Sequence, residues 1–66
     1  MSSKDYEKFA EIIGKAFAIT RDEDERTVVY EAVYQPIVNL FEDDNPRFNR
    51  SRFSHACAVA EGKHTV

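Results

Sequence analysis

The densest concentration of chemically capable side chains lies in Arg47-Phe48-Asn49-Arg50-Ser51-Arg52-Phe53, which holds three arginines and two aromatics within seven residues. Guanidinium groups at a helix start can pair with phosphate oxygens alongside free backbone N–H groups. Arg47, Arg50 and Arg52 are therefore candidates for binding nucleic acid, a nucleotide or an acidic patch on another protein. Arginine in a first helical turn opposes the macrodipole, so some anion must compensate. Glu42, Asp43 and Asp44 stand just upstream, and their covalent proximity favours local pairing, ahead of a protein partner and then of nucleic acid.

Other chemistry finds less support. His55, Cys57 and His64 are the soft metal ligands, but His55 and Cys57 point ~200° apart on a helix. A single cysteine excludes an internal disulfide and a cysteine-based zinc framework, and Cys57 reads most simply as a small buried hydrophobe. Ser51, Ser54, His55 and Glu61 have no spacing that recommends a catalytic triad. Gly14 and Gly62 are the only glycines, which leaves no glycine-rich phosphate loop. No enzyme activity, cofactor or metal is expected.

The elements that must position these residues follow from periodicity. Tyr6, Phe9, Ala10, Ile13, Ala16 and Phe17 obey i, i+3, i+4, i+7 spacing, with Ile12 and Ile19 at one margin. Glu7, Lys8, Glu11, Gly14 and Lys15 share the opposite side. The partition predicts a helix over about 4–19, begun by Ser2 or Ser3, with Ser2 and Asp5 in capping-box spacing. Gly14 on its polar side costs ~1 kcal/mol relative to alanine, with no packing reason evident.

Two overlapping start signals, Thr20 with Glu23 and Asp22 with Glu25, place a second helix near Glu23. The run Asp22-Glu23-Asp24-Glu25 could dock a basic partner, but carboxylates in a first turn complement the macrodipole, which we favour. At ~100° per residue, Val29, Ala32, Val33, Pro36, Ile37 and Leu40 fall on one face, which Tyr30, Tyr34 and Phe41 widen to roughly 200°. The stretch from Thr27 to Phe41 is thus expected to be the central helix. Pro36 deletes a hydrogen bond to the Ala32 carbonyl and crowds the preceding turn, so a single kinked helix over about 23–42 is favoured over a restart capped by Gln35. Val28 and Val38 project toward the polar side, as candidates for an outside contact or as scattered exposed valines.

Glu42-Asp43-Asp44-Asn45-Pro46 ends that helix, since carboxylates oppose its C-terminal dipole and Asn45 before proline is pushed out of the α region. A third helix could start from Asn45 with Pro46 at its first position, or from Asn49. The second choice is preferred because it sets Phe48 and Phe53 at the spacing of a hydrophobic staple and makes Phe53, Ala56, Cys57 and Ala60 one inward stripe. This helix should run over about 50–60 and stop at Gly62, leaving 62–66 as a tail.

Together these predict an all-α, single-domain protein, a bundle-like protomer of three helices. A chain of 66 residues buries only about 60% of its unfolded surface, so the apolar excess calls for a homo-oligomer. Tyr30, Tyr34, Phe41, Ile12 and Ile19 are the candidate interface. A hydrophobic fraction of 42% with 32% charged residues is globular composition. No apolar run approaches a membrane span, and Met1-Ser2-Ser3-Lys4 leads into an amphipathic pattern, so a cytoplasmic setting is expected. A net charge of −3 exerts no overall pull on nucleic acid.

The segment from Asp43 to Phe53, followed by Ala56-Cys57, resembles one in small bacteriophage open reading frames, particularly those of phages infecting actinobacteria. Those proteins have Asn-Pro-Arg-Phe, usually Asp where this chain has Asn49, then Arg-x-Arg-Phe. Glu31-Ala32-Val33-Tyr34 with Pro36 is similar to their central helix, so the likeness covers about half the chain. An Asp or an Asn at position 49 serves equally as an N-cap. The resemblance implies a phage accessory protein, and by extension one that binds and modulates a host protein, with a nucleic-acid or nucleotide-binding module or a structural assembly subunit as the alternatives. The residue pattern itself offers Arg47, Arg50, Arg52, Val28 and Val38 as the partner-binding residues.

Overall fold

A computed structural model describes residues 3–64 and is all-α. The first helix, α1, spans Ser3–Ala18, so its start signal at Ser2 lies outside the described residues. The next helix, α2, spans Glu23–Val29 and is capped by Asp22, whose side chain accepts from the Glu25 N–H at 2.9 Å. Glu25 in turn accepts from the Arg21 N–H at 2.7 Å. Of the two overlapping start signals, the Asp22 one is used.

A π-helical turn over Tyr30–Tyr34 follows α2 directly and leads into α3, Gln35–Asp44. The Gln35 N–H reaches the Tyr30 carbonyl, five residues back. Pro36 sits in the first turn of α3, immediately after the widened turn. Proline lacks an N–H and its ring collides with the carbonyl four residues earlier in a regular α-helix, so a π turn there opens the backbone where proline would crowd it. The chain neither restarts from Gln35 nor continues as a uniform α-helix.

A π turn takes up one more residue than an α turn, which moves every later inward position one residue along. Tyr34, Val38 and Phe41 are buried, where regular spacing had placed Val33, Ile37 and Leu40. Val38, expected on the polar side, is fully buried, while Leu40 is 61% exposed. Ala32 and Pro36 are exposed as well, and Val29, Val33 and Ile37 are half-buried.

Phe41, 1% exposed, occupies the middle of the core. Its ring centroid lies 4.8 Å from that of Tyr6, 5.2 Å from Phe9, and 5.4 Å from both Phe48 and Phe53. The Tyr6, Phe9 and Phe53 rings meet it near edge-on, at 72°, 73° and 82°, the preferred arrangement for aromatic quadrupoles. The most extensive helix pairing is between α1 and the last helix, α4, which spans Arg50–His64, rather than around Thr27–Phe41. Gly14 is buried on that seam. A Cβ built on it would lie 2.5 Å from the Ala60 Cβ, 2.7 Å from the Glu61 N and 2.8 Å from the Cys57 O. Only the absence of a side chain lets the two helices approach so closely, which is the packing reason the sequence did not reveal.

Helix α4 begins as expected. Asn49 accepts from the Arg52 N–H at 3.0 Å, and the Phe48 and Phe53 rings meet at 5.6 Å as a staple. Its end differs, because the helix runs through Gly62 to His64. A stop at Gly62 needs the left-handed region, and no described residue has positive φ. Two side-chain contacts hold this last stretch onto the bundle, Glu61 with Arg26 at 2.6 Å and His64 with Glu11 at 2.7 Å.

Candidate functional site

The Arg47–Arg52 segment is built by a tight link between α3 and α4. Asn45 leaves the helix in an extended conformation, its N–H still bonded to the Phe41 carbonyl at 2.9 Å. Its side chain then accepts from the Arg47 N–H at 3.0 Å, while its carbonyl accepts from the Phe48 N–H at 2.9 Å. An asparagine that bonds the backbone two residues on mimics a turn. Pro46 supplies the preset backbone within it. The result carries Phe48 back onto Tyr6, 5.3 Å between centroids, and delivers Asn49 to cap α4.

The three arginines separate on this frame. Arg50 is drawn back onto α3, its Nη2 lying 2.6 Å from Glu42 Oε1 and 3.2 Å from Asn39 Oδ1. Local carboxylate pairing therefore accounts for Arg50, through Glu42. Arg47 and Arg52 are exposed and, among the described residues, neither guanidinium has an ion-pair partner. Both line an open groove of about 350 Å³ between α1 and the start of α4, together with Tyr6, Glu7, Phe48 and Asn49. The groove has two uncompensated cations on its rim and an aromatic floor.

The remaining candidates divide differently. Val28 is 63% exposed, but Val38 is removed from any partner surface by its burial. Tyr34 and Phe41 are likewise spent on the protomer's own core, whereas Ile12, Ile19 and Tyr30 are 62%, 73% and 44% exposed. The one-residue displacement at the π turn is responsible for Val38, Tyr34 and Phe41 alike. Cys57 is buried, and burial pushes its thiol up to about 11, so it stays protonated and unreactive at neutral pH. His55 is exposed, and His64 meets Glu11 as an ion pair only when protonated.

One feature of the surface escaped sequence reasoning altogether. A second groove, about 430 Å³, runs between α2 and α4 and is lined by Phe17, Arg26, Tyr30, Tyr34, Ser54 and Glu61 among others. Arg26 donates to both Glu61 oxygens, at 2.6 and 3.1 Å, and its guanidinium carbon lies 5.0 Å from the Phe17 ring centroid. The hydrogen bond to Glu61 raises Arg26 further above its ordinary range, and the same bond holds Glu61 below the usual carboxylate range. The partners stand 35 residues apart, beyond the reach of any helical spacing rule. Arg26 and Glu61 satisfy each other, and Glu23, the third charged residue of the lining, adds a further carboxylate that acts on Arg26, so this groove leaves an anionic ligand no free cation.

Among the described residues, no helix is long and apolar enough to cross a membrane. Compared with protein-family models, with curated proteins and with solved structures, the chain matches none of them.

Proposed function

We propose that this chain is a non-catalytic binding protein that self-associates and engages an acidic surface of another protein through the Arg47/Arg52 groove. In the setting implied by its Asn-Pro-Arg-Phe segment, it is a phage accessory protein that modulates a protein of the bacterial host in its cytoplasm. The observation that carries this proposal is the contrast between Arg50, neutralised by Glu42, and Arg47 and Arg52, which have no ion-pair partner among the described residues. Bidentate guanidinium groups are the side chains of choice for interface carboxylates. Phe48 and Tyr6 beside them supply the apolar, aromatic surface on which interface energy concentrates.

The same groove supports a second use, binding of nucleic acid or a nucleotide, because arginine and aromatic surfaces together suit phosphate and base. Glu7 in the groove lining and the net charge of −3 weigh against it. Affinity capture from a bacterial lysate, with wild type beside an Arg47→Glu, Arg52→Glu variant of unchanged helicity, tests the proposal. A single bacterial protein retained by the first and lost by the second is the expected result. Equal recovery by both would refute the groove. Binding of oligonucleotides that falls steeply with salt, without protein capture, would establish the second use instead.

A further inference from the structure

Two files of exposed residues turn away from α4. On α1, Lys8, Ile12, Lys15 and Ile19 follow at spacings of four, three and four, so they share one line along the helix. Ile19 extends that line past the last helical residue, its N–H still bonded to the Lys15 carbonyl at 3.2 Å. Ile12 stands two residues, hence ~200°, from Gly14, which is pressed on α4. On the other arm, Ala32, Pro36 and Leu40 form the second file, which Asp43 and Asp44 continue. Leu40 stands two residues from Glu42, which is tied to α4 by Arg50. On the core side of these files lie Phe9, Val33 and Ile37, half-buried and packed on the core.

The files differ in charge. Lys8 and Lys15 carry the first, Asp43 and Asp44 the second, and none of the four has an ion-pair partner among the described residues. Both are otherwise apolar, the lysines alternating with Ile12 and Ile19 and the aspartates following Leu40, and these three apolar side chains are each more than 60% exposed.

We infer that this face is a two-fold interface with a second copy of the chain, in which the lysine-isoleucine file of α1 lies along the Leu40-Asp43-Asp44 file of the partner copy. A two-fold axis repeats each contact, so the pairing buries both apolar files and neutralises both sets of charges. Setting α1 on α1 would instead oppose lysine to lysine. The inference rests on the self-association part of the proposed function and deepens it by replacing Tyr34 and Phe41, which are internal, with Leu40 and the flanking charges.

Light scattering on the purified chain reads the mass directly. Wild type is expected at twice the 7.6 kDa chain mass. Lys8→Glu with Lys15→Glu, and separately Asp43→Lys with Asp44→Lys, should each lose the dimer while keeping the helical circular dichroism. Combining all four should restore it, an outcome that misfolding cannot produce. A dimer indifferent to the single-sided swaps, or one that the combination fails to restore, would remove this surface and leave self-association standing. A wild-type monomer at the highest soluble concentration would remove both.

Discussion

The two glycines of this chain provide an opposed pair of substitutions. Both glycines are helical, Gly14 well inside α1 and Gly62 in the last turn of α4, so on helix propensity alone replacing either with alanine should stabilise, by about 1 kcal/mol in a helix interior and by less in a last turn. At Gly62 nothing lies within 4 Å of the added Cβ, so a gain is expected there, below the roughly 1 kcal/mol of an interior position. At Gly14 the new methyl would meet the Ala60 Cβ at 2.5 Å, at least about 1 Å inside the optimum separation of carbon atoms. The two other contacts, 2.7 Å to the Glu61 N and 2.8 Å to the Cys57 O, are to backbone atoms, which no rotamer change can withdraw. The helices must separate, and overpacking of this kind costs about 1–3 kcal/mol. Gaps opened along the rest of the seam add to that, because a separation of 0.5–1 Å forfeits roughly a quarter to a half of each dispersion contact. After the propensity gain, a net loss of about 1–2 kcal/mol remains for Gly14→Ala. Urea unfolding followed by far-UV circular dichroism, at one fixed protein concentration, measures both variants. With a denaturant slope of about 1 kcal/mol per molar, their midpoints should fall on opposite sides of wild type and about 1 M or more apart. Two midpoints both above wild type would refute the close approach of α1 and α4.

Other outcomes follow from the same packing and charges. Phe41→Ala should cost about 3–5 kcal/mol, a large share of the roughly 3–10 kcal/mol available to a chain of this size, and it should abolish cooperative thermal unfolding. Asn49→Ala removes the bond to the Arg52 N–H and should lower the urea-derived stability by about 0.5–2 kcal/mol. The buried Cys57 should resist alkylation in the native state and react only on unfolding. Because its folded value of about 11 lies above the ordinary thiol value of 9.0, the fold holds that proton more tightly. The associated stability is present below pH 9 and declines as pH rises toward 11, by up to roughly 3 kcal/mol, a slope that Cys57→Ala should remove. Glu61 behaves oppositely. Its carboxylate is held low by the hydrogen bond from Arg26, so its contribution is present at neutral pH and lost as pH falls through the carboxylate range. For a partly exposed pair that contribution is about 0.2–1 kcal/mol, and Glu61→Gln should flatten the acid limb of stability by that amount.

Local signals in the sequence were sufficient for the starts of α2 and α4 and for the inward face of α1, because caps and periodicity act within a few residues of chain. The Asp22 and Asn49 caps, the Phe48–Phe53 staple, the inward stripe of α1 and the all-α class all depend on such short-range geometry. Pairing of the arginines with upstream carboxylates was legible too, although only the fold shows that Glu42 takes Arg50 and leaves Arg47 and Arg52 on the groove. What tertiary structure decided are the features that join distant segments or break the assumed period. One extra residue in the Tyr30–Tyr34 turn moved Val38 inward and left Leu40 outside, a change that no count at a constant 100° per residue could register. Gly14, Arg26 with Glu61, and His64 with Glu11 acquire their partners only when α4 closes onto the earlier helices, and that contact also carries α4 past Gly62. Sequence spacing records which residues share a face, whereas the depth at which two faces meet depends on atoms far apart in the chain.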